Sequence, residues 1–488
     1  MSGSPAHAPL RADVAVVGAG AAGLVTALRA ARAGGRVALV SATPLAQTAS
    51  YWAQGGLAAA LAADDSPERH LEDTERAGRG LVRRSAAEVL CREAPVCVNA
   101  LVELGVRFDA DRHGRLALGL EGGHSIRRVV HAGGSATGRR LVRQLSALAV
   151  EDPRITVIEG SRAAQVWTGD DGACRGLLLE DGRAIASRAV VLCTGGTAAL
   201  WARTTNPPGS LGFGLVLAHR AGAHLADLEF MQFHPTAVTG VRGREGFLIT
   251  EAIRGEGATL HGADGERFVD ELAPRDEVSR AVHAEMGRSG TSSVGLDMRH
   301  IDPALFPNVV AALQDAGLDP TTQLIPVSPA AHYGMGGIVT DLDGRSTVAG
   351  LYAVGETACT GLHGANRLAS NSLTECCVFG TRAARAALDE PAPPDAPPPP
   401  APTPLPEPGR ETRDALWRHA GIVRNHEDLA TLLLDPYPLA RLIAANALKR
   451  EESRGAHLRE DFPDTDPALD RHHAVIAPGE PPAYAVWA

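Results

Sequence analysis

Residues 13–40 read as an apolar strand, a Gly-x-Gly-x-x-Gly turn (Gly18, Gly20, Gly23), an Ala-rich helix and a second apolar strand. No other stretch constrains the fold so tightly. This order predicts a βαβ dinucleotide-binding unit in which Gly18 allows the tight turn, Gly20 lets backbone approach a pyrophosphate, and Gly23 lets the helix pack on the strand. The phosphate charge would face the helix N-terminus, where free amide N–H groups and the helix dipole favour an anion. The unit by itself permits either a nicotinamide or a flavin dinucleotide.

Further strand-like runs, Ile155–Ile158, Ala189–Leu192 and Gly350–Glu356, are separated by helical patterns and end in Gly-rich turns. They predict an α/β fold with a mostly parallel sheet whose C-terminal edge holds the ligand. The loop 49–56 is expected to lead into an Ala-rich helical stretch. Between 228 and 334 the pattern turns irregular and rich in His, Arg and Glu, as an inserted α+β capping domain would be. The nucleotide-binding domain is therefore assigned to 9–227 and 335–388, with the cap at 228–334. From 391 to 408, 11 of 18 residues are proline, which places an extended linker at 389–410. Residues 411–488 are expected to form a short helical region and tail.

A chain of 488 residues is long enough for two or three domains and a sizeable core. Its net charge of -10 argues against general binding to nucleic acid or anionic membranes, so working cations should be local. With no run of about 20 apolar residues and no secretory pattern at the N-terminus, a cytoplasmic location is expected. The seven cysteines show neither Cys-x-x-Cys nor zinc-like spacing with His; no metal site is expected, and they read as buried hydrophobes. The only lysine, Lys449, lies near the C-terminal end, which removes P-loop and pyridoxal-phosphate enzymes.

Four cationic or imidazole side chains stand in turn-like contexts: His234 in Gln-Phe-His-Pro-Thr, Arg275 in Ala-Pro-Arg-Asp, His332 in Ala-His-Tyr-Gly and Arg367 in Gly-Ala-Asn-Arg. Singly, each is as readily structural. Together they describe a pocket for a small anion, because two carboxylates need several fixed donors and Arg grips one in bidentate fashion. Glu251 and Arg254, in Thr250-Glu-Ala-Ile-Arg-Gly-Glu-Gly, fit either a proton relay or a structural ion-pair network. Glu121, in Glu-Gly-Gly-His124, would repel a dianion unless the ligand also carries a positive charge.

These motifs, with Ala53-Gln-Gly-Gly56, Thr194-Gly-Gly196, Gly355-Glu356 and Ser370-Asn-Ser372, resemble in order the succinate dehydrogenase/fumarate reductase flavoprotein superfamily. The resemblance runs from about residue 11 to 388 and resumes at Arg450-Glu-Glu-Ser-Arg-Gly-Ala-His457. It implies a Rossmann-like FAD-binding domain, and two positions point to the branch that oxidises L-aspartate. Ala49 stands where the respiratory enzymes carry the His that bonds FAD, so the flavin should be noncovalent. Glu121 stands where they have an uncharged residue, and aspartate is succinate with an added ammonium group.

By this resemblance FAD meets Gly18, Gly20, Ala21, Ala22 and Gly23 at its pyrophosphate. It is further lined by Ser41, Ala49, Ser50, Gln54, Gly55, Gly56, the backbone of Arg162 and Ala163, Glu356, Ser372 and Leu373. His234, His332 and Arg367 would hold the two carboxylates, with Thr250 in the same substrate site and Glu121 on the amino group. Arg275 would handle the proton, backed by Glu251 and Arg254. The implied reaction takes L-aspartate to iminoaspartate, with O2 (giving H2O2) or fumarate accepting the electrons. It would be the first step of NAD biosynthesis via quinolinate, with quinolinate synthase as functional partner.

One stretch departs from the family pattern. Thr205–Gly214 resembles a turn that normally ends Ser/Thr-Gly-Asp-Gly, yet Phe213 replaces the Asp and Leu211 the hydroxyl residue. A lost carboxylate hydrogen bond predicts flavin binding weaker by roughly 1–3 kcal/mol. Two alternatives to the oxidase reading follow: a soluble fumarate reductase-like flavoenzyme, and a non-catalytic homologue with weakened FAD binding.

Overall fold

The computed structural model describes residues 9–45, 47–394, 397–399 and 404–487. Strand β1 (Val14–Val17), helix α1 (Ala21–Arg32) and strand β2 (Val37–Ser41) follow the order read from the sequence. Three more strands, β3 (Ile155–Glu159), β4 (Ala189–Leu192) and β5 (Leu351–Ala353), complete a sheet of order β5-β4-β1-β2-β3. All four pairings are parallel, with Val16 opposite both Leu39 and Val191. A parallel sheet covered on both faces has no polar side to show, which explains the unbroken apolar runs. Successive residues divide between two cores: Val14 and Val16 face the layer of α1, while Ala15 and Val17 face the layer of Trp201 and Leu215.

At the turn, Gly18 has φ +105°, and a Cβ there would collide with the Cys193 carbonyl. A Cβ on Gly23 would collide with the Gly18 carbonyl, so the helix could not start where it does. Behind α1 runs the long helix Asn371–Leu388, where a Cβ on Gly380 would lie 3.1 Å from Thr26 Oγ1. This close crossing brings the start of that helix to the same sheet edge as the glycine turn.

The stretch after Gly56 is not the helix its alanines suggest. Leu57–Ala58 is a short strand antiparallel to Val129–Val130, and loop follows until the helix Pro67–Ala77. Tertiary hydrogen bonds outweigh alanine's propensity: Gly56 N donates to Ser370 Oγ, and Ala58 N to Ser370 O at 3.0 Å.

In the inserted region an antiparallel sheet runs in the order Met231–Val238, Ile325–Gly334, Val294–Asp297, Thr259–His261, with the helix Arg275–Ser289 packed against it. Its core, including Val238, Ile253, Leu260, Val282, Leu296 and Val327, draws all its buried members from residues 238–327. The two long strands carry His234 and His332 on the side nearer the nucleotide unit.

Past the linker, helices Arg410–His419, His426–Leu432 and Pro438–Lys449 bury Leu416, Leu429, Leu439 and Ile443 in the second core, together with Tyr437 just before the last helix. The tail is not only helical: His472–Ile476 pairs antiparallel with Leu225–Ala226, and Ala483–Val486 adds to its edge. The Arg450–His457 motif fastens this segment to the cap junction. Arg450 Nε meets Glu229 Oε1 at 2.7 Å, and Arg424 donates to the Glu229 carbonyl, just before the His234 strand. All seven cysteines are buried and free, and among the described residues no His/Cys/Asp/Glu group could hold a metal ion.

Candidate active site

The C-terminal ends of the parallel strands open into a cavity of about 740 Å3 that continues under the inserted sheet. Its nucleotide end is built largely from backbone and small side chains. Gly18, Gly20, Ala22, Ser41, Ala49, Ser50, Gln54, Gly55, Gly56, Arg162, Ala163, Glu356, Ser372 and Leu373 all line it. Ala21 and Gly23 stand behind this wall: Ala21 N donates to Ser50 Oγ at 3.1 Å, and Gly23 serves the packing described above. Helix α1 has no acidic residue in its first turn and no side-chain hydrogen bond from its cap residue Gly20, so its amide end suits a pyrophosphate. The cavity volume and this phosphate seat fit a dinucleotide such as FAD. Ala49 presents only a methyl group.

The other end is built from charged side chains brought from distant segments. Glu121, His234, Thr250, Glu251, Arg275, His332 and Arg367 line it together, and Arg254 stands behind Glu251. The sequence reading did not assign a role to Gln232, yet its Oε1 accepts from Arg275 Nη1 at 3.1 Å and from Arg367 Nη2 at 3.0 Å. Its amide nitrogen donates to Asn366 Oδ1 and the Arg367 carbonyl, so the side chain is fixed at both ends. Two guanidinium groups that would repel each other are thus held around one carbonyl dipole. The nearest sequence signal was its position two residues before His234 on one strand.

Arg367 also donates to Ser372 Oγ at 3.2 Å, and its guanidinium lies 4.6 Å from the Tyr333 ring centroid. Burial lowers its pKa to about 10, with Arg275 adding to the effect, so it remains cationic at neutral pH. His234 and His332 lie edge to face, 5.1 Å apart. Burial and the nearby arginines push both well below the usual imidazole value, leaving them neutral. The Thr236 N–H donates to His234 Nδ1 at 3.3 Å, which puts the ring proton on Nε2. That Nε2 is buried and has no protein partner, as is true of Arg367 Nε. Both are donors awaiting an acceptor, which a carboxylate supplies. Thr205 Oγ1 orients His332 through Nδ1 at 2.7 Å.

Glu251 Oε2 accepts from Arg275 Nε at 2.6 Å, and its other oxygen lies 3.6 Å from Arg254 Nη2. Burial opposes its charge, but the two arginines outweigh burial and keep its carboxyl pKa below the ordinary value. Arg254 is anchored in turn by the Glu271 carbonyl. The spacing 251–254–275 therefore makes one contiguous buried chain of charge that ends at the cavity.

Glu121 is the other anion. Burial disfavours its charge, yet His131, Ser370 and the field of Arg275 together bring its carboxyl down to about 2. Ser370 Oγ donates to Oε2 at 2.6 Å, and His131 Nε2 lies 3.2 Å from Oε1. Ser370 adopts a left-handed φ of +61°, unusual for a residue with a side chain, to serve Glu121 and Gly56 at once. Neither Ser370 nor His131 was given this role from sequence. His124 of the same motif does not reach the cavity wall; it is buried against the Ala369 carbonyl and Arg128. Glu356 lines the nucleotide end and accepts from Gly334 N; burial lifts its carboxyl to about 7.

Comparison with known proteins agrees with this geometry. An FAD binding domain family matches residues 13–373, and a fumarate reductase flavoprotein C-terminal family matches 433–483. An L-aspartate oxidase of Caulobacter vibrioides is 46% identical, covering 96% of each chain. That of Nostoc is 43% identical, covering 96% of this chain and 93% of its own. Among solved structures, a quinol-fumarate reductase superposes with a TM-score of 0.88 at 28% identity, covering 99% of this chain and 98% of that one.

Proposed function

Because the chain belongs to the L-aspartate oxidase family of FAD-binding flavoproteins, we propose that its cavity takes L-aspartate and oxidises it to iminoaspartate. The observation that carries this reading is the buried anion Glu121 in the same cavity as Arg275, Arg367, His234 and His332. A ligand matching that wall needs two carboxylates and one ammonium group. Succinate or fumarate would offer Glu121 no cation and so forgo a charge-assisted hydrogen bond of ~1.5–3 kcal/mol that an ammonium group makes.

His234 Nε2, His332 and the Arg367 fork hold the carboxylates, and Glu121 receives the ammonium. Thr250 completes the substrate wall. Arg275, steered by Glu251 and Gln232, moves the proton that the amino group releases, with Arg254 fixing Glu251 from behind. FAD, when bound, supplies the hydride acceptor. Ala49 cannot bond to it, so the cofactor is held noncovalently. Holding a donor carbon against an acceptor in one geometry removes much of the barrier, ~7–11 kcal/mol in ideal cases. One aspartate and one O2 give one iminoaspartate and one H2O2; with fumarate as acceptor the second product is succinate.

The inserted region 228–334 closes over the substrate as the cap. Iminoaspartate hydrolyses in water, so the enzyme that condenses it onward, quinolinate synthase, works as the functional partner in NAD biosynthesis. The protein operates in the cytoplasm; no described helix is long and apolar enough to cross a membrane. A steady-state assay tests the reading. Peroxide should form with L-aspartate and not with succinate, whereas inactivity on aspartate with brisk fumarate reduction would replace it with the fumarate reductase-like reading.

A further inference from the structure

The replacement of an acid by Phe213 reads differently once its surroundings are known. Ser41 ends β2, the position that in dinucleotide folds faces the adenosine ribose. Its carbonyl accepts from Ser161 N at 3.2 Å, so Arg162 and Ala163 come next along the same wall. Opposite them begins the helix Phe213–Arg220, launched from Gly212 at φ +69°. Phe213 and Leu217 from that helix line the cavity with Arg162 and Ala163. The Arg162 guanidinium lies 4.6 Å from the Phe213 ring centroid. It is steered there by Glu407 at 2.9 Å, from the described end of the proline-rich linker, and by Glu180 at 3.5 Å.

We propose that Phe213 and Arg162 form a stacking platform for the adenine of FAD. An aspartate at 213 would offer an acceptor; a ring under a guanidinium offers a flat, polarisable surface. Adenine is planar, uncharged and rich in π electrons, and it binds such surfaces by stacking and cation–π attraction. On this account the substitution exchanges one mode of holding the nucleotide for another. The inference rests on FAD being the cofactor and adds a role for the Arg162 side chain, which sequence resemblance assigned only through its backbone.

The test is a titration of flavin-free protein with FAD, followed by displacement with ADP, which carries the adenosine half alone. Phe213→Ala should raise the dissociation constants of FAD and ADP in parallel, by about tenfold. Phe213→Tyr, which keeps the ring, should stay close to the parent. Arg162→Ala, at a partly exposed side chain, should raise both by about threefold and serves if Phe213→Ala does not fold. Unchanged affinities, or a loss for FAD without a loss for ADP, would overturn the platform. So would Phe213→Tyr losing as much as Phe213→Ala. Parent protein that takes up no FAD at all would instead defeat the cofactor reading beneath it.

Discussion

The two ends of the cavity are made in opposite ways. The nucleotide end is a surface of backbone and small side chains, centred on a helix N-terminus and a turn in which Gly18 and Gly23 tolerate no Cβ. The charged end, the proposed substrate site, is a set of charged and polar side chains, fixed by one another: Gln232 between two arginines, Glu251 between Arg275 and Arg254, and Glu121 between His131 and Ser370. A backbone site is specified by local sequence and fails when the chain cannot take its path. A side-chain site depends on tertiary convergence, and one altered group can change its chemistry without altering the fold.

The largest expected effect lies in the substrate end. Arg275→Leu should lower kcat/KM for aspartate by ~10^2–10^4, the range of a lost proton-handling group, while bound flavin per chain stays near parent. Loss of flavin in step with activity would show that the two ends are not separable. At the nucleotide end, Gly23→Ala forces a Cβ into the Gly18 carbonyl and should cost about 1–3 kcal/mol, read as a lower melting temperature and reduced flavin content. A variant with full flavin and unchanged melting would refute a backbone-defined turn.

A smaller effect is expected from pH. Buried His70, His124, His234, His332 and His457 have folded-state pKa values below the ordinary imidazole value, chiefly through burial, His70 at about 3. A depressed value means the contribution to stability is complete above the unfolded pKa near 6.5 and is lost as pH falls toward the folded value. Glu229 and Glu356, raised to about 7, act in reverse: their contribution is complete below 4.5 and lost as pH rises through 7. Five imidazoles outweigh two carboxyls, so the melting temperature of the flavin-free protein should fall from pH 7 to pH 5. A rise over that interval would show that the carboxyls dominate.

Legibility in the sequence followed the same division. Gly18, Gly20 and Gly23 announced the βαβ unit because each constraint acts within a few residues, and the parallel strands were readable as apolar runs. His234, Arg275, His332 and Arg367 stood out in contexts read as turn-like, although His234 and His332 lie within the strands Met231–Val238 and Ile325–Gly334 and Arg275 opens a helix, because their flanking Pro and Gly residues mimic turns. The clamp of the two arginines, Gln232, did not, because a neutral amide has no signature until two distant arginines are seen to meet on it. Ser370 stood in a motif but carried no role, since its hydroxyl reaches Glu121 and Gly56 only from a left-handed backbone that sequence does not display. The alanines after Gly56 misled because hydrogen bonds from more than 300 residues away overrule local propensity. The strand His472–Ile476 was missed because so short a segment gains its identity only from the partner it pairs with.

The claim at the centre of this account is that Glu121 selects the ammonium group of the substrate. The direct measurement is the kcat/KM of Glu121→Gln for L-aspartate oxidation, set beside that of the same variant for fumarate reduction. Removing a charge-assisted hydrogen bond of ~1.5–3 kcal/mol predicts a drop of about 10- to 100-fold for aspartate and a much smaller change for fumarate. Equal losses in the two reactions would contradict it.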